Sequence, residues 1–76
     1  MYEELFEMTL QDFTLKVTYD EDKNYFLCFF NEGEQQHIIY QHDNGNWYEV
    51  NEGRTAMADQ LGKIIEAKVH VKQALL

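Results

Sequence analysis

The chain has 76 residues, 45% hydrophobic and 26% charged, with 14 acidic against 6 basic side chains and a formal net charge of −8. That length holds one domain, and the apolar share is too high for a disordered acidic tail. No run of about 18 apolar residues is present to cross a bilayer as a helix, and the single cysteine, Cys28, cannot staple a secreted fold.

The first residues, Met1-Tyr2-Glu3-Glu4-Leu5, are acidic where a signal peptide needs a basic start followed by an apolar stretch. With one cysteine, the expected address is the cytoplasm. Alternation begins at Leu5: Phe6, Met8 and Leu10 alternate with Glu7, Thr9 and Gln11, which predicts a strand over about 5–10. Phe13, Leu15, Val17 and Tyr19 continue the pattern over about 13–19. Gln11-Asp12 between them reads as a tight turn or as a bulge in one long strand.

Asp20-Glu21-Asp22-Lys23-Asn24 punctuates the chain. Its alternate oxygens resemble the start of a calcium loop, but Tyr25 stands where such a loop needs glycine and Asn31 where it needs a bidentate glutamate. An acidic hairpin tip is the expectation. A strand over 24–30 follows, apolar on both parities, then Glu32-Gly33 as a turn, a strand over 36–42, Asn44-Gly45 as a hairpin signal, and a short strand over 47–50. After Gly53 the period changes. Thr55 can cap a helix, and Met57, Leu61, Ile64, Ile65 and Lys68 repeat at helical spacing, predicting a helix over about 55–70. Gly62 lies inside it, and lowers its intrinsic stability by up to about 1 kcal/mol relative to alanine.

Treating each turn as a two-residue loop fixes the strand partners. Met8 then faces Leu15, Val17 faces Phe26, Phe26 faces Ile39, and Gln41 faces Tyr48. These four registers agree on one apolar face of Phe6, Met8, Leu10, Phe13, Leu15, Val17, Phe26, Cys28, Phe30, Ile39, Tyr48 and Val50. The helix would cover it. The predicted fold is α+β: an antiparallel β-meander of four or five strands with one C-terminal α-helix packed on one face, forming a single domain over 1–76.

The opposite face carries the functional expectation. It is polar on the first two strands (Glu7, Thr9, Thr14, Lys16, Thr18). On the later ones it holds Tyr25, Leu27, Phe29, Ile38, Tyr40 and Trp47, with His42 and Glu49 nearby. So large an apolar set on an open face marks an interface, unless the chain's own first residues (Tyr2, Leu5) or tail (Val69, Val71, Leu75, Leu76) fold over it. The expected role is a non-enzymatic interaction module, self-associating as a homodimer or meeting a protein partner through those six residues. A small-molecule ligand on Trp47 and Tyr40 stays open.

The alternative is an acidic inhibitor, immunity or charge-mimic protein that binds a basic partner through Asp20, Glu21, Asp22, Glu32, Glu34 and Asp43. Residues 1–52 carry −10 and residues 53–76 carry +2. Nucleic acid and anionic membrane surfaces are therefore not expected partners. No catalytic residue, cofactor or metal site is expected. His37 and His42 fall on opposite strand faces, Cys28 belongs to the core, and Gly53-Arg54-Thr55 reads as a helix cap. A meander followed by a helix is common to many unrelated small domains and carries no family resemblance.

Overall fold

A computed structural model describes residues 2–74, and the side chains of residues 2–69. Five strands form one antiparallel sheet in sequence order: β1 (Tyr2–Thr9), β2 (Thr14–Asp20), β3 (Tyr25–Phe30), β4 (Gln35–Gln41) and β5 (Trp47–Glu49). An α-helix, α1 (Ala56–Ala74), follows. The predicted α+β meander is the observed architecture. The helix runs through Val69-His70-Val71 despite their strand-like composition.

Gln11-Asp12 is a turn. Leu10 and Phe13 exchange backbone hydrogen bonds at 2.7 and 3.3 Å, and Met8 faces Leu15 and Phe6 faces Val17 as expected. A bulge does occur, but earlier, where the register shifts between Glu4 and Phe6. It lets both Leu5 and Phe6 pack against the core. The first residues, whose folding over the open face was the alternative to an interface, are instead the sheet's edge strand, with Tyr2 67% exposed.

β3 and β4 pair as predicted, Phe26 with Ile39 and Leu27 with Ile38. At their turn Glu32 and Gly33 both have positive φ, 60° and 94°, as a type I′ hairpin requires. The β2–β3 register differs from the expected one by two residues. Tyr19 faces Phe26 and Val17 faces Cys28, where Val17–Phe26 and Leu15–Cys28 were expected. The loop here has four residues rather than two. Asp20 organises it: its Oδ1 accepts from the Asp22 N–H at 3.0 Å and its carbonyl accepts from the Asn24 N–H at 2.8 Å. A shift of two preserves the face of every side chain, so the core is unaffected.

The β4–β5 register differs by one, and that changes the faces. Gln41 lies opposite Trp47, Tyr40 opposite Tyr48 and Ile39 opposite Glu49. The loop contains three residues. The His42 carbonyl accepts from the Gly45 N–H at 2.8 Å, and the His42 N–H donates to the Asn46 carbonyl at 2.8 Å. Gly45, at φ 89°, supplies the left-handed third position of such a loop. Trp47 is therefore turned into the core, 4% exposed, and Tyr48 is turned out. Both placements reverse the expectation.

The core lies between one sheet face and α1: Leu15, Val17, Cys28, Ile39, Trp47, Ala58, Leu61 and Ile65 are buried, with Phe13, Phe26, Phe30, Met57, Ile64 and Val69 packed around them. Thr55 caps the helix as predicted, its Oγ1 accepting from the Ala58 N–H at 3.0 Å. Lys68 is exposed and contributes nothing to the buried stripe. Gly62 is buried where α1 crosses Trp47. A methyl group there would overlap Cγ, Cδ1 and Cδ2 of the indole.

Candidate functional site

The uncovered sheet face is built from residues of one parity on every strand. Cross-strand rows can be read directly from the register. One row is Tyr2, Asp20, Tyr25, Tyr40 and Tyr48. The next is Glu4, Thr18, Leu27 and Ile38, and the third is Glu7, Lys16, Phe29 and Gln36. Five of the six expected interface residues (Tyr25, Leu27, Phe29, Ile38 and Tyr40) fall on this face. Trp47 does not, and Tyr48 takes its place.

The rings of the first row touch in sequence. Tyr25 and Tyr40 lie 5.8 Å apart, and Tyr40 and Tyr48 stack at 5.7 Å with an 18° interplanar angle. His42 continues the run at 5.6 Å from Tyr48. Side-by-side packing leaves all six apolar residues half-buried rather than fully exposed. Among the described residues nothing charged lies within the β3–β5 part of the face. Its charge sits on β1 and β2, where Lys16 pairs with Glu4 at 3.3 Å. Cover by the tail was the alternative to an interface, and at Val69 it does not occur. Val69 packs on the opposite, helix-covered side. The side chain of Val71, and Leu75 and Leu76, lie outside the described residues.

A polar cluster that the sequence did not suggest joins β4, β5 and the start of α1. The register shift at Trp47 brings Glu49 to the helix side, where its Oε2 accepts from His37 Nδ1–H at 2.7 Å and its Oε1 accepts from the Thr55 hydroxyl at 2.8 Å. A carboxylate only accepts, so the ring proton sits on Nδ1, and in the neutral ring Nε2 accepts from the Gln35 amide at 2.9 Å. Thr55 in turn caps the helix. The hydrogen bond from His37, opposed in part by burial and reinforced by that from Thr55, holds the Glu49 carboxyl below its ordinary range.

A lowered folded-state pKa means that Glu49 stabilises the fold above the ordinary glutamate pKa, and that this contribution is lost as pH falls through the lowered value. Glu49→Ala is expected to cost about 1–3 kcal/mol at neutral pH, because two donors lose their acceptor. The loss relative to wild type should shrink steadily in urea melts taken towards acid pH. A pH-independent difference would contradict the assignment.

Cys28 faces His37 across the strands, but burial, and after it the Glu49 charge, push its thiol up to about 12. It is a packing residue. Among the described residues no three His, Cys, Asp or Glu side chains converge as metal ligands. Arg54 pairs with Asp59 at 3.4 Å and Thr55 caps its own helix, so the Gly53-Arg54-Thr55 segment is occupied locally. A groove of about 430 Å³ opens between the first half of α1 and the strand ends, over Phe13, Leu15, Phe30, Met57, Leu61 and Ile64.

The acids of the charge-mimic expectation are divided. Asp20, Glu21, Asp22 and Asp43 lie at one end of the sheet, and Glu32 and Glu34 at the other, as the antiparallel order of the loops dictates. Among the described residues no helix is long and apolar enough to cross a membrane. The chain matches no known family, no curated protein and no solved structure.

Proposed function

We propose that the chain is a non-enzymatic protein–protein interaction module that self-associates through the open face of its sheet. One observation carries the reading. Tyr25, Leu27, Phe29, Ile38, Tyr40 and Tyr48 form a continuous uncharged aromatic and aliphatic surface on the side opposite the helix. Tyrosines are suited to such a role because each presents a large ring with a polar tip. A second copy is the occupant favoured by charge. Two chains of −8 repel, and this is the part of the face where they approach without opposing carboxylates.

Leu27→Glu tests it. The side chain sits at the centre of the patch and outside the helix-covered core, so the variant should fold and melt cooperatively while its solution mass falls to that of one chain. Unchanged mass would refute self-association through this face. The charge-mimic alternative is separated by ionic strength. A complex led by Asp20, Glu21, Asp22 and Asp43 would weaken steeply with added salt, whereas a patch-led dimer would barely respond.

A further inference from the structure

Resting on self-association through the open face, we infer its symmetry: the two copies are related by a two-fold axis along the Glu4–Thr18–Leu27–Ile38 row, which lays Lys16 of each copy over Asp20 and Tyr25 of the other. Face-to-face sheets keep their strands nearly aligned, within about 30°. An isologous pair can then place its axis in the interface either along the strands or across them.

The two choices differ in what they bring together. An axis along the strands preserves the rows. It sets the Asp20–Asp22 and Asp43 tips of both copies at the same end, and lays Lys16 beyond the end of the partner's short β5. An axis across the strands, along the middle row, exchanges the rows on either side of it. β2 then lies over β2, with the Lys16 row facing the Asp20 row, and β3 over β3, with Phe29 facing Tyr25. Leu27 and Ile38 meet their own counterparts at the centre, and Glu4 meets its own at the β1 edge. The acidic tips point to opposite ends.

Charge selects the second arrangement: it forms two Lys16–Asp20 pairs against one Glu4–Glu4 approach, in which each Glu4 keeps its own Lys16 at 3.3 Å. Among the described residues Lys16 is the cation of the open face, nearly half exposed, with an exposed intrachain partner in Glu4. Asp20 is a buried acidic residue of this face, 7% exposed. Its Oδ1 accepts from the Asp22 N–H at 3.0 Å, and it lies beside Tyr25 in the register. An ammonium arriving over that pair gains both a counter-charge and a ring face.

The test combines one charge change with one cross-link. Lys16→Glu should weaken the dimer about tenfold or more, since it sets like charges opposite one another twice. Glu4→Gln removes the same intrachain pair without that effect, and should leave the dimer as tight as wild type or tighter. Thr18→Cys places a thiol on the axis. The shortest bis-maleimide should join two such chains, because their backbones face each other across the ~10 Å sheet separation. An axis along the strands would add about three strand spacings, ~14 Å, of lateral offset and prevent it. Cys28, buried with its thiol pKa raised to about 12, does not compete for the reagent.

A wild-type dimer that fails to cross-link at Thr18→Cys, or that tolerates Lys16→Glu, overturns the axis and leaves the interaction face standing. A wild-type chain that stays monomeric at tens of micromolar overturns both.

Discussion

Gly62→Ala is expected to destabilise the domain by about 2 kcal/mol or more, although helix propensity alone predicts a gain. On an exposed helix face the replacement gains up to about 1 kcal/mol. Gly62 is instead buried beneath the Trp47 indole, and the added methyl would overlap the ring at Cγ, Cδ1 and Cδ2. Overpacking of this kind costs about 1–3 kcal/mol, and more when the obstruction cannot swing aside. The indole is held on several sides. Its Nε1–H donates to Glu66 Oε2 at 3.3 Å, and its ring meets the Phe26 edge at 5.3 Å. Moving it breaks both contacts. Urea melts followed by the fluorescence of Trp47, the chain's one tryptophan, report stability and indole environment together. A stabilised Gly62→Ala with an unchanged spectrum would mean that the indole is not seated on this glycine.

Phe26→Ala is expected to cost about 3–5 kcal/mol, enough to unfold most of the population at room temperature. Phe26 sits where three strands meet the helix layer. It faces Tyr19 on β2 and Ile39 on β4, its ring lies 4.9 Å from Tyr19, and it packs edge-on against Trp47. Truncation leaves a cavity that the rings around it cannot fill without giving up their own contacts. For a domain this small each kcal/mol shifts the melting temperature by about 4–8 °C. A cooperative melt within a few degrees of wild type would contradict the packing described for this face.

The parts of the fold that were legible in the sequence are those set by local chemistry. Alternation marks the strands, Thr55 marks the helix start, and two hairpins follow from turns without extra residues, at Gln11-Asp12 and Glu32-Gly33. The two misjudged registers share a cause, loop length. Asp20 adds residues to its loop by bonding backbone groups two and four positions on, but adds them in a number that keeps parity. Asn44-Gly45 sits one position later in its loop than a two-residue turn would place it. Parity reverses, and Trp47 and Tyr48 exchange faces.

Alternation could not arbitrate there, because Trp47 and Tyr48 are adjacent aromatics in a strand of three residues. Gly62 was the available signal. A glycine within the apolar stripe of a helix, beside Leu61 and Ile65, marks a place where something bulky approaches the backbone. The same reversal hid the His37–Glu49–Thr55 cluster, since the expected register put Glu49 on the open face. The candidate interaction face was legible in five of its six residues because they lie on β3 and β4, whose mutual register the Glu32-Gly33 turn determines.

The mass of the wild-type chain in solution, measured by size exclusion with light scattering at tens of micromolar and at two salt concentrations, tests self-association most directly. Twice the chain mass is expected at both, because the contact is led by the uncharged patch of Tyr25, Leu27, Phe29, Ile38, Tyr40 and Tyr48 rather than by the acidic loops. A single-chain mass at both concentrations would contradict self-association through the open face.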